Sequence, residues 1–342
     1  MKAAVYYSLD NILVEEMPIP KIGSQEILVQ MKACGVCGSD LMEWYQETRA
    51  PMVPGHEPTG VVAKTGSKVE GFEEDDRVFV HHHVACLTCY YCRHGAYTLC
   101  EQFAATHLEP GGFAQYFRVP ASNLKTDTLK IPSGISFEEA TLIEPLGCCI
   151  KALNRCDLQC SDSVVVVGAG PAGILTTMLS QMRGASQVIV TDFIDYRLKA
   201  AKNLGADLTI NPEKESLIDL VKRATDGRGA DLVFMTAPSI NGYLVGLELC
   251  RKGGTLCVFA PTPPQDFMRL SPNKLLFSEI KMVPSYSTSH VETRVALKLI
   301  QTRKIDVREI ITHRFPLSRT AEALQTAARN KECLKVVIVS EE

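Results

Sequence analysis

At 342 residues the chain exceeds what one hydrophobic core usually holds, about 250–300 residues, so two domains are expected. Its 46% hydrophobic and 22% charged residues are those of a folded soluble protein, neither disordered nor membrane-embedded. Thirty-six basic against 39 acidic residues leave a net charge of −3 with no basic run to follow a phosphate backbone, which excludes a nucleic-acid partner and favours small-molecule chemistry.

Residues 1–7 are followed by Asp10, Glu15 and Glu16, unlike the basic start and long apolar middle of a signal peptide. The apolar run 164–175 is too short to span a bilayer and carries three glycines. A cytoplasmic protein without membrane association is expected. Short apolar runs at 3–7, 27–31, 60–63 and 77–80, separated by glycine, proline and acidic turns, predict an all-β region over about the first 125 residues. Strand candidates at 164–167, 188–191, 207–210, 232–235, 256–259 and 280–283 then alternate with helical stretches such as 173–184 and 196–204. That rhythm predicts a doubly wound parallel sheet, so the class is α/β. Two amphipathic helices, 291–302 and 317–329, precede an apolar strand at 336–339 that is free to pair back into the first domain. The expected division is 1–150 with 287–342 as one domain and 151–286 as a Rossmann domain.

The strand 164–167 runs into Gly168-Ala169-Gly170-Pro171-Ala172-Gly173, and a helix follows. Glycines there permit a tight turn and let backbone amides at the helix start approach a pyrophosphate, so Gly168, Gly170, Pro171, Ala172 and Gly173 are assigned to a dinucleotide. Asp192 ends the next strand, nineteen positions after Gly173. A carboxylate there accepts from the ribose diol and repels a 2'-phosphate, which favours NAD over NADP. Arg197 lies close by and either stacks on adenine or, by tolerating a phosphate, weakens that preference.

Thirteen cysteines without a signal peptide point to metal binding and reduced thiols rather than disulfides. Cys86, Cys89, Cys92 and Cys100 form C-x2-C-x2-C-x7-C, four thiolates with no position left open, which is a structural zinc pattern. An iron-sulfur cluster is the competing reading, but there the fourth cysteine follows after three residues and precedes proline, whereas Glu101 follows here. A second set, Cys37, His56, Glu57 and Glu144, offers a thiolate, an imidazole and carboxylates that can hold zinc and keep one position for substrate. His81, His82 and His83 end a strand, where alternation sends neighbours to opposite faces, so a mixed surface and interface role is expected rather than a three-histidine metal site.

The segments Cys37-Gly38-Ser39-Asp40, Gly55-His56-Glu57 and Glu144-Pro145-Leu146, with the cysteine lobe and the glycine turn in this order, resemble the zinc-containing medium-chain dehydrogenase/reductase family, in its polyol and threonine dehydrogenase branch. The resemblance covers essentially the whole chain. It implies a chaperonin-10-like β-rich catalytic domain completed by the C-terminal tail, a Rossmann domain, NAD, one catalytic and one structural zinc per chain, and a homotetramer or dimer. It further implies that Cys37, His56 and Glu57 hold the catalytic zinc and that Glu144 either ligates it or holds its water. Ser39 then takes the alcohol proton and Asp40 orients His56, with a helix cap as an additional role for Asp40. Many relatives carry a proton-relaying histidine where this chain has Met42, so the relay must end differently here, through water or an acid such as Glu43. The expected reaction interconverts a secondary alcohol, of polyol type, and its ketone. A threonine-type or cyclic-alcohol dehydrogenase is the alternative within enzymes, and a non-enzymatic NAD-binding sensor the alternative outside them.

Overall fold

In the computed structural model, which describes residues 1–341, apolar residues at every second position of the third strand set the first core. Seven strands occupy the first part of the chain: β1 (Lys2–Ser8), β2 (Asn11–Glu16), β3 (Ile27–Gly35), β4 (Glu57–Thr65), β5 (Arg77–Val80), β6 (Tyr116–Val119) and β7 (Thr128–Lys130). In β3, Ile27, Val29, Met31 and Ala33 are fully buried while Gln30 and Lys32 are half-buried between them. The next six are β8 (Ser163–Val167), β9 (Gln187–Thr191), β10 (Leu208–Ile210), β11 (Ala230–Met235), β12 (Cys250–Val258) and β13 (Lys281–Pro284). The tail adds β14 (Ile311–Pro316) and β15 (Lys335–Val339).

The chain divides into two units, Met1–Gly147 with the tail from Ser287, and Cys148–Tyr286. In the first, a sheet ordered β14-β15-β3-β4-β5-β7 carries β6 on β3, and β1 pairs with β2 separately. The tail closes this sheet: β15 lies antiparallel to β3 with Val337 opposite Gly35, and Gly35 in turn faces Glu57 of β4. Tyr6, Phe113, Phe117, Leu324 and Ile338 share its core. Each such buried side chain contributes about 1.5–3 kcal/mol through removal of apolar surface from water.

The second unit holds a six-stranded sheet ordered β10-β9-β8-β11-β12-β13, parallel throughout. Val164, Val165 and Val166 are all fully buried, as expected of a strand covered on both faces, where a continuous apolar run replaces alternation. The order reverses between β8 and β11, and in open parallel sheets ligands bind outside the carboxyl ends of the strands at such a switch point.

Among the elements that differ from the sequence reading, two bear on the sites and their sheets. Ile143–Arg155 is a helix although Pro145 sits in it, because a proline in the first turn removes an amide that has no partner there anyway. Strand β12 begins at Cys250, six residues before the expected start, its first half masked by Gly253-Gly254. No described helix is long and apolar enough to cross a membrane.

Candidate functional site

The first site forms where β3 ends and β4 begins. Cys37 follows β3, His56 precedes β4, and Glu57 is the first residue of β4, so antiparallel pairing brings the three together. One ligand atom from each lies within 4.8 Å of the others. Gly35 makes this possible, since a Cβ there would overlap Glu57 Oε2. Asp40 is buried and bridges two of the ligands: its Oδ2 accepts the Cys37 amide at 2.9 Å, and its Oδ1 lies 3.3 Å from His56 Nδ1. It sits at the third position of the short turn Gly38–Leu41, with Cys37 rather than Asp40 at the cap. With Nδ1 engaged by Asp40, His56 keeps Nε2 for a metal. Burial works to discharge the imidazole, but Asp40 and Cys37 outweigh it and raise its pKa well above the usual value.

Glu144 opens the helix Ile143–Arg155 and is buried. It is not within the compact three-ligand group, yet its charge bears on Glu57. Burial pushes the Glu57 carboxyl up, while Lys335 from β15 holds it down. Lys335 Nζ lies 2.8 Å from Glu57 Oε1 and 2.5 Å from Oε2, with both side chains almost wholly buried. Sequence reasoning missed Lys335; its one signal was a lysine opening an otherwise apolar strand, KVVIV. Ser39 is half-buried, and its carbonyl accepts the Gln46 side-chain amide at 2.7 Å, a bond in which the hydroxyl has no part. Met42 is half-buried and Glu43 beside it is exposed.

The second group is the cysteine lobe. The sulfurs of Cys86 and Cys92 are 4.0 Å apart and those of Cys89 and Cys92 are 3.5 Å apart. Four sulfurs tetrahedrally placed about one zinc at about 2.3 Å stand about 3.8 Å from one another, so the donor set fits a single ion. Hydrogen bonds from Thr88, both its hydroxyl and its amide, pull the Cys86 thiol down to about 6, whereas burial and the neighbouring thiols push that of Cys92 up to about 12. Ala85 and Phe103 pack under the sulfurs and give the lobe its own small core.

The histidine run departs from the sequence expectation. It follows β5, so strand alternation does not govern it, and His81 and His83 are buried rather than at the surface. His81 Nδ1 pairs with Asp127 Oδ2 at 2.9 Å, and Asp127 Oδ1 accepts the Thr293 hydroxyl at 2.7 Å. His83 Nδ1 donates to the Thr106 carbonyl at 2.6 Å, and burial pushes its pKa down to about 3. No three-histidine metal group occurs among the described residues.

In the second unit, β8 delivers the chain into the glycine turn. Gly168 has φ +101°, a left-handed value that favours glycine, and a Cβ on Gly173 would overlap the Gly168 carbonyl oxygen. Gly170 caps the helix Pro171–Met182, with Pro171 and Ala172 in its first turn, where amides without helical partners are available to an anion. Thr236 at the end of β11 secures the turn, its hydroxyl lying 2.9 Å from the carbonyls of both Val167 and Gly168. Asp192 is half-buried; Oδ2 accepts the Ala169 amide at 2.7 Å and Oδ1 the Ile194 amide at 2.9 Å. The carboxylate thus clamps the glycine turn and retains lone pairs for a ribose diol. Arg197 lies one turn into the helix Asp195–Asn203, half-buried.

Two family models match this chain: an alcohol dehydrogenase GroES-like domain over residues 23–133 and a zinc-binding dehydrogenase domain over residues 171–302. The sorbitol dehydrogenase of Bacillus subtilis (strain 168) is 33% identical over 99% of this chain and 97% of its own length. An L-threonine 3-dehydrogenase of Yersinia pseudotuberculosis is 31% identical over 96% of each chain. Among solved structures, a protein described as a short chain alcohol dehydrogenase of Escherichia coli CFT073, complexed with NADH, superposes with a TM-score of 0.89 at 27% identity over 99% of both chains. A zinc-binding dehydrogenase of Sinorhizobium meliloti 1021 bound to NADP gives 0.88 at 26% identity, over 99% of this chain and 98% of that one.

Proposed function

This chain belongs to the zinc-containing medium-chain dehydrogenase/reductase family, in its polyol and threonine dehydrogenase branch, and on that premise we propose that it oxidises a secondary alcohol of polyol type to the ketone with NAD. The observation that carries the reading is the convergence of Cys37, His56 and Glu57 within 4.8 Å. A sensor or structural relative has no need to keep a thiolate, an imidazole and a carboxylate together in this way.

Cys37, His56 and Glu57 hold the catalytic ion, Glu144 stands by as a further carboxylate, and the lobe cysteines hold a structural one. When bound, zinc supplies Lewis-acid stabilisation of the charge that grows on the alcohol oxygen. Asp40 fixes the tautomer of His56 and, through the Cys37 amide, the turn that presents the thiolate. Ser39, two residues beyond Cys37, takes the alcohol proton. Met42 has no group that can carry it further, so ordered water or exposed Glu43 releases it. Asp192 selects NAD by accepting from the ribose diol and repelling a 2'-phosphate.

Thirteen cysteines with no disulfide among the described residues support a reducing, cytoplasmic setting. Phe267, Leu276 and Phe277 are 82%, 68% and 77% exposed on the Rossmann unit, which supports assembly as a dimer or tetramer. Light scattering coupled to gel filtration checks the latter.

The deciding experiment is a panel of polyols, simple secondary alcohols, cyclic alcohols and threonine, read by NADH absorbance with NAD and with NADP. Turnover concentrated on polyols and lost in Cys37→Ala supports the proposal. A strong preference for threonine moves the assignment to the amino-alcohol reading, and silence across the panel with NAD bound sinks the enzyme reading.

A further inference from the structure

The ion pair between Lys335 and Glu57 is remote in sequence, buried, and set directly at the metal ligands. Lys335 is 2% exposed and Glu57 is fully buried, and their positions differ by 278 residues. The pairing depends on three strands. Strand β15 adds to β3 with Val337 opposite Gly35, β3 sets Gly35 opposite Glu57, and the absence of a side chain at Gly35 leaves room for both partners. A Cβ on Gly35 would overlap Glu57 Oε2 and stand 3.0 Å from Lys335 Cε.

The two carboxylate oxygens are not equivalent. Oε1 accepts a hydrogen bond from Nζ at 2.8 Å. Oε2 is in ion-pair contact at 2.5 Å but, although buried, has no hydrogen-bond partner among the described residues. The ammonium lies against both oxygens, yet each keeps lone pairs for a further partner. Cys37 and His56 offer their ligand atoms within 4.8 Å, so an ion held by them is the natural partner for Oε2. Lys335 meanwhile removes much of the negative charge that would bind such an ion firmly.

We propose that Lys335 is a positioning residue of the catalytic metal site: it holds the Glu57 carboxylate and offsets its charge, so that Glu57 is a weak ligand that yields to the alcohol. This rests on the zinc dehydrogenase reading above and deepens it. The C-terminal strand then reaches the active site through its first residue.

The test uses full-length protein loaded with cobalt(II) in place of zinc, whose visible absorption reports the ligand set. Lys335→Met frees Glu57 to bind the ion more firmly. The expected results are a changed cobalt spectrum without substrate and a KM for the alcohol raised about tenfold, with kcat less affected, the factor expected from loss of one charge-assisted hydrogen bond. The second arm repeats the substitution in the Glu57→Gln background, where Lys335 no longer has the Glu57 charge to offset, its largest partner beside Cys37 and Glu144. There Lys335→Met should change the cobalt spectrum of Glu57→Gln far less than it changes that of wild type, and this background also removes the unpaired buried charge that threatens folding of the single variant.

A Lys335→Met spectrum and KM matching wild type overturn the proposal, as does a spectral change that persists undiminished in the Glu57→Gln background. Loss of metal with unchanged KM per bound ion marks a purely structural residue and equally overturns it. The cobalt spectrum is read without any alcohol, so silence on the substrate panel sinks the functional reading by itself and is distinguishable from failure here.

Discussion

Replacing Asp192 separates the bracing that its carboxylate performs from the cofactor discrimination proposed for it. Its oxygens accept the amides of Ala169 and Ile194 at 2.7 and 2.9 Å, so it braces the glycine turn before any cofactor arrives. Hydrogen bonds to a charged group contribute about 1.5–3 kcal/mol each, and the half-exposed setting here argues for the lower end. Asp192→Ala therefore removes roughly 2–3 kcal/mol of bracing. The bracing loss weakens binding of both cofactors, so affinity for NAD should fall by at least about tenfold, while for NADP the relief of phosphate repulsion offsets part or all of it. Asp192→Asn keeps a carbonyl oxygen for one amide and removes only the charge. A unit charge about 4 Å from a phosphate costs about 1 kcal/mol in water and about 4 kcal/mol near a protein surface, so the preference for NAD should narrow by between about fivefold and several hundredfold. Fluorescence titration gives the affinities, and the ratio of kcat/KM for the two cofactors gives the preference. If the asparagine variant loses affinity for both cofactors with the ratio unchanged, Asp192 is a brace and not the discriminator, and Arg197 becomes the next residue to test. If alanine weakens binding no more than asparagine does, the brace itself is immaterial.

Cys100→Ala should release the lobe zinc and lower Tm by about 5 °C or more, corresponding to about 2 kcal/mol, since three thiolates hold the ion poorly and Phe103 loses its cover; metal analysis with calorimetry checks it, and an unchanged Tm with the zinc gone refutes the structural role. The pKa of His83, held down to about 3 by burial, means that the unfolded chain takes up a proton near pH 6.5 that the folded one refuses. That part of the stability is present above pH 6.5 and is lost as pH falls toward 3, about 2 kcal/mol by pH 5. Denaturation midpoints at pH 7 and pH 5 should therefore converge in His83→Phe relative to wild type. Met42→His should leave zinc and NAD affinity nearly intact while adding an ionisation near pH 6.5 to the pH-rate profile, and coincident profiles would remove position 42 from the proton path.

Local patterns were legible without a structure. The strand-glycine-helix sequence at 164–173 announces a tight turn into a helix because the left-handed φ at Gly168 and the close approach at Gly173 both demand residues without side chains. The cysteine lobe is readable because fifteen consecutive residues contain every donor. The alternation of strands and helices after residue 160 likewise follows from short-range periodicity. The histidine run misled, since burial of His81 and His83 depends on Asp127, Thr106 and Phe103, which lie 20 to 46 residues away. Such long-range contacts leave no periodic trace.

The sequence by itself determined which donors are available and the local turns that hold them: a thiolate at Cys37, an imidazole and carboxylate at His56 and Glu57, and a carboxylate at Asp192 after the second Rossmann strand. Tertiary structure alone decided how those donors are charged and aimed. Strand pairing β15-β3-β4 carries Lys335 to Glu57 across most of the chain, and the turn after β3 folds so that one buried carboxylate, Asp40, serves both Cys37 and His56. The physical reason is that side-chain chemistry belongs to each residue, whereas burial and charge pairing belong to neighbours brought together by sheet register, and register is set by the whole core rather than by any one segment.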